Sequence, residues 1–255
     1  MLAIFKREFK SYFQNVIGWL FVAALLAVYG LYFYVYNLKN GYPYISYDLN
    51  GIGFIMMIAV PILTMRSLSD EKKTKTDQLM LTSPVSVGKI VAGKYFAMAA
   101  VYTIDIALFA LSPLVLSIYG KVALSEAYVA LFGYWLYGLS CIAVGLFISS
   151  ISESVIISAI LTFAALFLSY MMQSITGLIS SSGNLLTKVL NCFDLYTPFE
   201  NFVSGCFSVT SAAYYVTVIL LLCFLTTQSI QKRRWAFSKK MIGTCLLYTS
   251  DAADE

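Results

Sequence analysis

The chain has 255 residues, of which 60% are hydrophobic and only 12% are charged, and its formal net charge at pH 7 is +4. Charged residues make up about a quarter of an ordinary soluble domain, so this composition excludes a water-soluble fold and indicates a membrane protein. The sequence contains no histidine, which removes the usual base of nucleophilic triads and the commonest metal ligand.

The first residues form an amphipathic segment ahead of the first apolar run. Phe5, Phe9 and Phe13 recur at helical spacing, while Lys6 and Lys10 fall elsewhere on the helical wheel. Two interpretations stay open. One is an interfacial helix that lies along the inner membrane surface against anionic lipid, and the other is a simple extension of the first membrane-spanning helix.

Six apolar runs are long enough to cross the hydrocarbon layer, which takes about 20 helical residues. They cover residues 16–36, 51–65, about 90–116, about 127–149, 155–179 and about 212–230. The second run is the shortest and is bounded by Asp48 and Arg66. Pro61 and Pro113 fall inside the second and third runs, where they are candidates for helix kinks. The sequence therefore predicts an all-α polytopic membrane protein with six transmembrane helices.

The distribution of cations predicts the orientation. When the N-terminus is placed inside, every Lys and Arg except Lys39, Lys121 and Lys188 falls on the inner side. Positively charged loops are retained in the cytoplasm, so both termini are predicted to be cytoplasmic in a multi-pass protein of the bacterial cell membrane.

Two outer segments follow from this orientation. The first, 37–50, contains a tyrosine cluster that is typical of an anchor at the headgroup layer. The second, 180–211, is too apolar for a free loop and predicts short helices on or dipping into the outer leaflet. It also contains Cys192 and Cys206, and a disulfide between them stays open.

The end of the chain breaks the charge pattern. Residues 245–255 place three acidic side chains after a basic cytoplasmic end. They look like translated sequencing adapter and are left out of the predicted transmembrane domain, 1–244. A genuine acidic tail is the alternative.

The longest charged inner stretch, 66–85, connects the second and third runs. Leu79 and residues 81–85 form an apolar patch beside charges that include Glu71 and Asp77, and Pro84 ends any preceding helix. Such a mixed patch suits docking onto another protein, and a solvated loop is the alternative.

A glycine and lysine pattern follows this stretch. Gly88, Gly93 and Lys94 have the spacing of a phosphate-binding loop, but Tyr95 replaces the required Ser or Thr, and no strand is evident before it. Glycines that allow close helix packing, with a lysine at the interface, are the better explanation.

The order of Glu71, the run 76–81, the Ser-Pro-Val turn and the glycines that enter the next apolar run resembles the ABC transporter type-2 permease family. Within it, the chain is most similar to the gliding-motility-associated group. The resemblance implies the membrane subunit of an ABC exporter that pairs with itself or with a second permease. ATP and Mg²⁺ would be bound by a separate ABC ATPase subunit. Membrane lipid is the other expected partner, and nucleic acid is not.

The resemblance also implies a coupling segment, which would contact the ATPase and consist of Glu71, Thr76, Asp77, Gln78, Leu79, Leu81 and Pro84. Gln78 departs from the family, in which an acid is common at this position. A glutamine carries no charge, so the resemblance gives no support for a salt bridge at Gln78.

Asp105 is the only acid well inside an apolar run, where an exposed charge would cost about 3 kcal/mol or more. It is therefore predicted to face the interior of the helix bundle. The favoured interpretation is a neutralised acid bonded to Thr103 or to hydroxyls on neighbouring helices. In the alternative, Asp105 lines a substrate path or relays protons, and the chain is an ion- or proton-coupled secondary transporter. Cysteines and acids are too scattered in the sequence for a metal cluster.

Overall fold

The computed structural model describes residues 2–74, 86–119, 122–179 and 193–251, and no strand occurs among them. Helix α1 covers Leu2–Gln14, and α2 covers Val16–Phe33 and continues as a π-helix, Tyr34–Lys39. Helix α3 covers Ser46–Thr64 and α4 covers Ser69–Lys73. The remaining helices are α5 (Val87–Phe109), α6 (Ser112–Tyr119), α7 (Leu124–Ile151), α8 (Val155–Ile179), α9 (Thr197–Val203) and α10 (Val209–Asp251).

Six helical stretches of the described chain are long and apolar enough to cross a membrane, which confirms the predicted all-α polytopic fold. They are α2 with its π-helix, α3 with α4, α5 with α6, α7, α8 up to Met172, and α10 up to Lys232. The predicted fifth run has the same bounds as α8. The backbone of residues 245–251 continues helix α10. That residues 245–255 are foreign to the protein stays a prediction.

The second predicted span was too short, and the first outer loop was too long. Helix α3 begins at Ser46 rather than near residue 51, and the preceding π-helix extends to Lys39. The physical reason is a buried polar pair, because Asn37 donates a hydrogen bond from its side-chain amide to the carboxylate of Asp48. Both side chains lie inside the bundle, so the charge that seemed to bound the span belongs to its interior.

The third span is interrupted. Helix α5 ends at Phe109, and α6 begins at Ser112, one residue before Pro113. Proline lacks the backbone N–H that would continue the helix and fits its first turn, which explains a break just ahead of Pro113. Pro61, by contrast, lies inside α3 without interrupting it.

Helix α7 is the centre of the bundle. In its most apolar 18-residue stretch, 72% of the residues are buried, against 17% in the corresponding stretches of α8 and α10. It packs against α3, α5, α8, α9 and α10. Two glycines allow the close approach of neighbouring helices, because a Cβ at Gly138 would overlap the ring of Tyr102 and one at Gly145 would overlap Thr64.

The described part of the second outer segment enters the bundle, as predicted. Helix α9 buries Phe199 and Phe202 completely, and it packs against α3, α7 and α10. The Asp194 carboxylate accepts hydrogen bonds from the backbone N–H groups of Tyr196 and Thr197, at 2.9 and 3.0 Å, and so satisfies donors at the start of this helix. Cys206 is exposed, and residue 192 lies outside the described part of the chain, so a disulfide between the two stays open.

Candidate functional site

A buried lysine joins three elements at the predicted cytoplasmic end of the bundle. Lys94 of α5 is only 2% exposed, and its Nζ donates to the Glu71 Oε1 of α4 at 2.6 Å and to the Ser67 carbonyl at 2.9 Å. The Glu8 Oε1 of α1 lies 3.4 Å from the same nitrogen. We call Glu8, Ser67, Glu71 and Lys94 the Lys94 cluster. A buried ammonium is tolerated only when it is paired and hydrogen-bonded, and this cluster supplies both conditions.

The start of α4 is also hydrogen-bonded to the end of α7. The Ser149 hydroxyl accepts hydrogen bonds from the backbone N–H groups of Leu68 and Ser69, at 3.2 and 3.1 Å. The Ser69 hydroxyl donates to the Ser149 carbonyl at 3.2 Å, and Lys72 donates to the carbonyl of Ser150. Short helices are marginal by themselves, so these bonds fix the position of α4 relative to the bundle.

Helix α1 is a separate helix, which decides between the two interpretations of the N-terminal segment. It ends at Gln14, and Asn15 is extended with φ −91° and ψ 154° before α2 begins. The segment is therefore not an extension of the first span. Helix α1 packs against α5 at Gly93, where a Cβ would lie 2.9 Å from the Ile4 side chain.

A polar cavity of about 520 Å³ lies between α1 and the residues around α4. Glu8, Arg66, Asp70 and Lys94 are among the residues that line it. Arg7 also lines it and donates to Glu8 at 2.8 Å, and this hydrogen bond raises the pKa of the Arg7 guanidinium. The wall of this cavity therefore contains both acidic and basic groups.

The lysine of the apparent phosphate-binding loop has a structural explanation. Residues 88–95 lie within α5, Gly93 admits α1 and Lys94 pairs with Glu71. This confirms close helix packing with a lysine at the interface, and the helical geometry is not that of a phosphate-binding loop.

Comparison with protein families gives a match over most of the chain. Residues 33–227 match the family described as ABC-2 family transporter protein. The chain belongs to the ABC-2 transporter family. The comparison with curated proteins finds no relative. The ABC-2 match covers four of the six membrane-spanning stretches in full and parts of the first and the last, and it includes α4 and the residues that follow it.

Of the residues assigned to the ABC-2 coupling segment, the structure places Glu71, which lies in α4 and pairs with Lys94. The other assigned residues lie outside the described part of the chain: Thr76, Asp77, Gln78, Leu79, Leu81 and Pro84. The described chain therefore shows how the start of this segment is held, at Glu71 and at Ser69.

Asp105 faces the interior of the ABC-2 bundle, as predicted, and is fully buried. The favoured hydrogen bonding was wrong, because neither carboxylate oxygen has a partner among the described residues. The Thr103 hydroxyl donates instead to the Ala99 carbonyl at 2.7 Å and accepts from the Trp135 indole at 3.1 Å. A helical hydroxyl readily bonds to the carbonyl four residues earlier, and this local bond is the one that forms here.

Sequence reasoning missed Glu8 and Ser149 as partners of the α4 region. Glu8 interrupts the basic face of α1, and an acid among cations was a signal that could have been used. Ser149 gives no such signal, since a serine in an apolar helix usually bonds to its own backbone. The lysine at position 94 had been placed at a helix interface, but its partner Glu71 had been assigned to the ATPase contact.

Proposed function

We propose that this chain is the membrane subunit of an ATP-driven exporter and that a separate ABC ATPase docks on the coupling segment that begins at Glu71. The family supports the permease, since ABC-2 proteins are membrane subunits. ATP and Mg²⁺ would be held by the ATPase, and this chain would hydrolyse nothing. Two permeases, identical or different, would stand side by side in the bacterial cell membrane and surround the transport path.

The observation that supports coupling is the attachment of α4 to the bundle. The Lys94 cluster connects α4 to α5 and α1, and the bonds of Ser69 connect it to the end of α7. A force applied just beyond α4 would therefore reach three helices through short, partly buried contacts. A loosely attached loop would absorb the same movement without moving the helices.

Coupling also requires that the ATPase bind the permease differently in its open and closed states, since only differential affinity shifts an equilibrium. ATP binding would draw two ATPase subunits together. The docked segments would follow, and α5 and α7 would tilt to open the path outward. The assigned residues Thr76, Asp77, Gln78, Leu79, Leu81 and Pro84 would form the contact surface, and Glu71 would link this surface to Lys94.

The experiment is co-purification of this chain with a co-expressed candidate ABC ATPase, followed by measurement of ATP hydrolysis and transport in vesicles. Leu79→Ala should reduce the amount of bound ATPase, because it removes an apolar contact of the proposed surface. Leu111→Ala is the control, since Leu111 is an exposed leucine between α5 and α6 at the other end of the span. Equal ATPase retention in both variants would contradict the proposed docking surface.

A second function is favoured by one observation, the fully buried Asp105, neither of whose oxygens has a hydrogen-bond partner among the residues that the structure describes. A partnerless carboxyl group inside a membrane bundle is a functional-site hypothesis, and here it would be the coupling group of an ion- or proton-driven transporter. Transport by the purified chain without any ATPase, lost in Asp105→Asn, would support this function. ATP-dependent transport that Asp105→Asn leaves intact would reject it.

A further inference from the structure

A cavity of about 390 Å³ opens at the end of the bundle opposite α4, where three elements meet. The start of α3 contributes Tyr44, Tyr47 and Asn50, the start of α7 contributes Glu126, and α9 contributes Glu200. Among the described residues, this lining contains two carboxylates and no lysine or arginine. This volume falls within the range of small organic ligand sites, about 300–1,000 Å³.

The two carboxylates form no ion pair within the described part of the chain. Neither Glu126 nor Glu200 forms an ion pair with any residue that the structure describes. Glu126 lies beside Gly205, which follows α9 with φ +78°, and a Cβ at this glycine would lie 3.1 Å from the Glu126 Cγ. The missing side chain at position 205 therefore lets the start of α7 bring a carboxylate against the end of α9.

Aromatic rings complete the wall. Tyr44 and Tyr47 are about half exposed, and their rings meet edge to face with centroids 6.5 Å apart. The face of an aromatic ring attracts an organic cation, and rings combined with carboxylates are the usual surroundings of bound ammonium groups. The Asn50 side-chain oxygen is already occupied, because it accepts a hydrogen bond from the Tyr196 hydroxyl.

This combination favours an organic ammonium over a metal ion. No group of three acidic, cysteine or histidine side chains able to hold a metal occurs among the described residues. A calcium ion would need six to eight oxygens within about 2.6 Å, whereas this cavity is wide and partly aromatic. An ammonium group needs only carboxylates and ring faces around it.

We propose that this cavity binds the primary ammonium group of a phospholipid headgroup, held between Glu126, Glu200 and the ring of Tyr47. The depth fits, because tyrosines on the predicted outer side belong to the headgroup layer. A small amine dissolved outside the cell has the same ammonium chemistry and is the other source. The bound group would join α3, α7 and α9 at the mouth of the bundle. This site does not depend on the proposed ATPase contact.

The test uses the full chain purified in detergent and native mass spectrometry to count bound lipids. The probes are phosphatidylethanolamine and its N-acetylated form, which keeps the rest of the lipid, adds a small acetyl group and has no ammonium charge. We expect the chain to retain phosphatidylethanolamine about tenfold better, from two ion pairs and one ring contact. In Glu126→Gln/Glu200→Gln this preference should fall to about twofold or less.

A control variant and a check of folding accompany this test. Glu153→Gln removes an exposed acid between α7 and α8, at the opposite end of α7, and should keep the parent's preference. Both substitutions in the double variant are isosteric, and both side chains are at least partly exposed. Unchanged helix content and an unchanged elution volume in size-exclusion chromatography would show that the variant is folded. Equal retention of the two lipids by the parent, or an unchanged preference in the double variant, would overturn the proposal.

A competition arm separates the two sources of the ammonium group. Soluble ethanolamine that displaces the lipid at millimolar concentration would support the site and assign it to a free amine. A lipid that stays bound against the same excess would support the site and assign it to the headgroup. Because no ATPase is present, neither result bears on the coupling segment.

Discussion

Replacing Lys94 with methionine should destabilise the bundle, because it removes the buried cation that Glu71 and Glu8 share. The substitution keeps the length of the side chain but removes the bonds from Nζ to Glu71, at 2.6 Å, and to the Ser67 carbonyl, at 2.9 Å. It also removes the charge that separates Glu71 from Glu8. Breaking a buried ion pair costs about 3–5 kcal/mol. The Glu71 and Glu8 side chains are 20% and 15% exposed, so water offsets part of the loss and we expect about 3 kcal/mol.

A double variant tests whether the loss comes from the ion pair. Lys94→Met/Glu71→Leu removes both charges and leaves Glu8 with its second partner, Arg7, at 2.8 Å. The double variant should therefore be more stable than Lys94→Met alone. The coupling energy from the complete cycle of variants should be about 1–2 kcal/mol.

The assay is unfolding of the purified chain by denaturant in mixed micelles, followed by tryptophan fluorescence. Lys89→Met is the matched control, since Lys89 is an exposed lysine in the first turn of the same helix and should change the free energy of unfolding by less than about 0.5 kcal/mol. If the losses in Lys94→Met and Glu71→Leu simply add in the double variant, the two residues do not interact and the reasoning fails. The same variants should also lower ATP-driven transport if α4 transmits movement to α5.

Three further substitutions test the packing and the bonds that position α4 and α9. Gly145→Ala should cost about 1–3 kcal/mol in unfolding free energy because its methyl group would overlap Thr64, whereas Gly30→Ala, with nothing within 4 Å, should be neutral or stabilising. Ser149→Ala should cost about 1–3 kcal/mol, since two buried backbone N–H groups before α4 lose their acceptor, and amide exchange should speed up there but not in α9. Asp194→Ala should cost about 1 kcal/mol and speed exchange in the first turn of α9, whereas unchanged exchange would refute its capping role.

Hydropathy predicted the number and order of the spans because each apolar run has few alternatives to a membrane crossing. Hydropathy misplaced the ends of spans at which polar side chains are buried. Asp48 was interpreted as a boundary, but its hydrogen bond with Asn37 keeps it inside the bundle and lengthens the second span. Periodicity cannot detect such a pair, since the partners lie on different helices and neither repeats along its own.

The candidate site was predictable in position but not in contacts. The charged stretch after the second span indicated where an external partner would dock, and Glu71 lies at its start. What this glutamate touches depends on packing, because Lys94 of α5 reaches it, and Glu8 of α1 reaches Lys94, only when these helices have packed together. Lys94 itself shows why a sequence alone misleads here. The glycine spacing around it suggested phosphate binding. The Lys94 side chain, however, is 2% exposed and already bonded to a carboxylate and a carbonyl, so it is not placed to bind a nucleotide. Its charge is used inside the protein, where it holds α4 against α5 and α1 through Glu71 and Glu8.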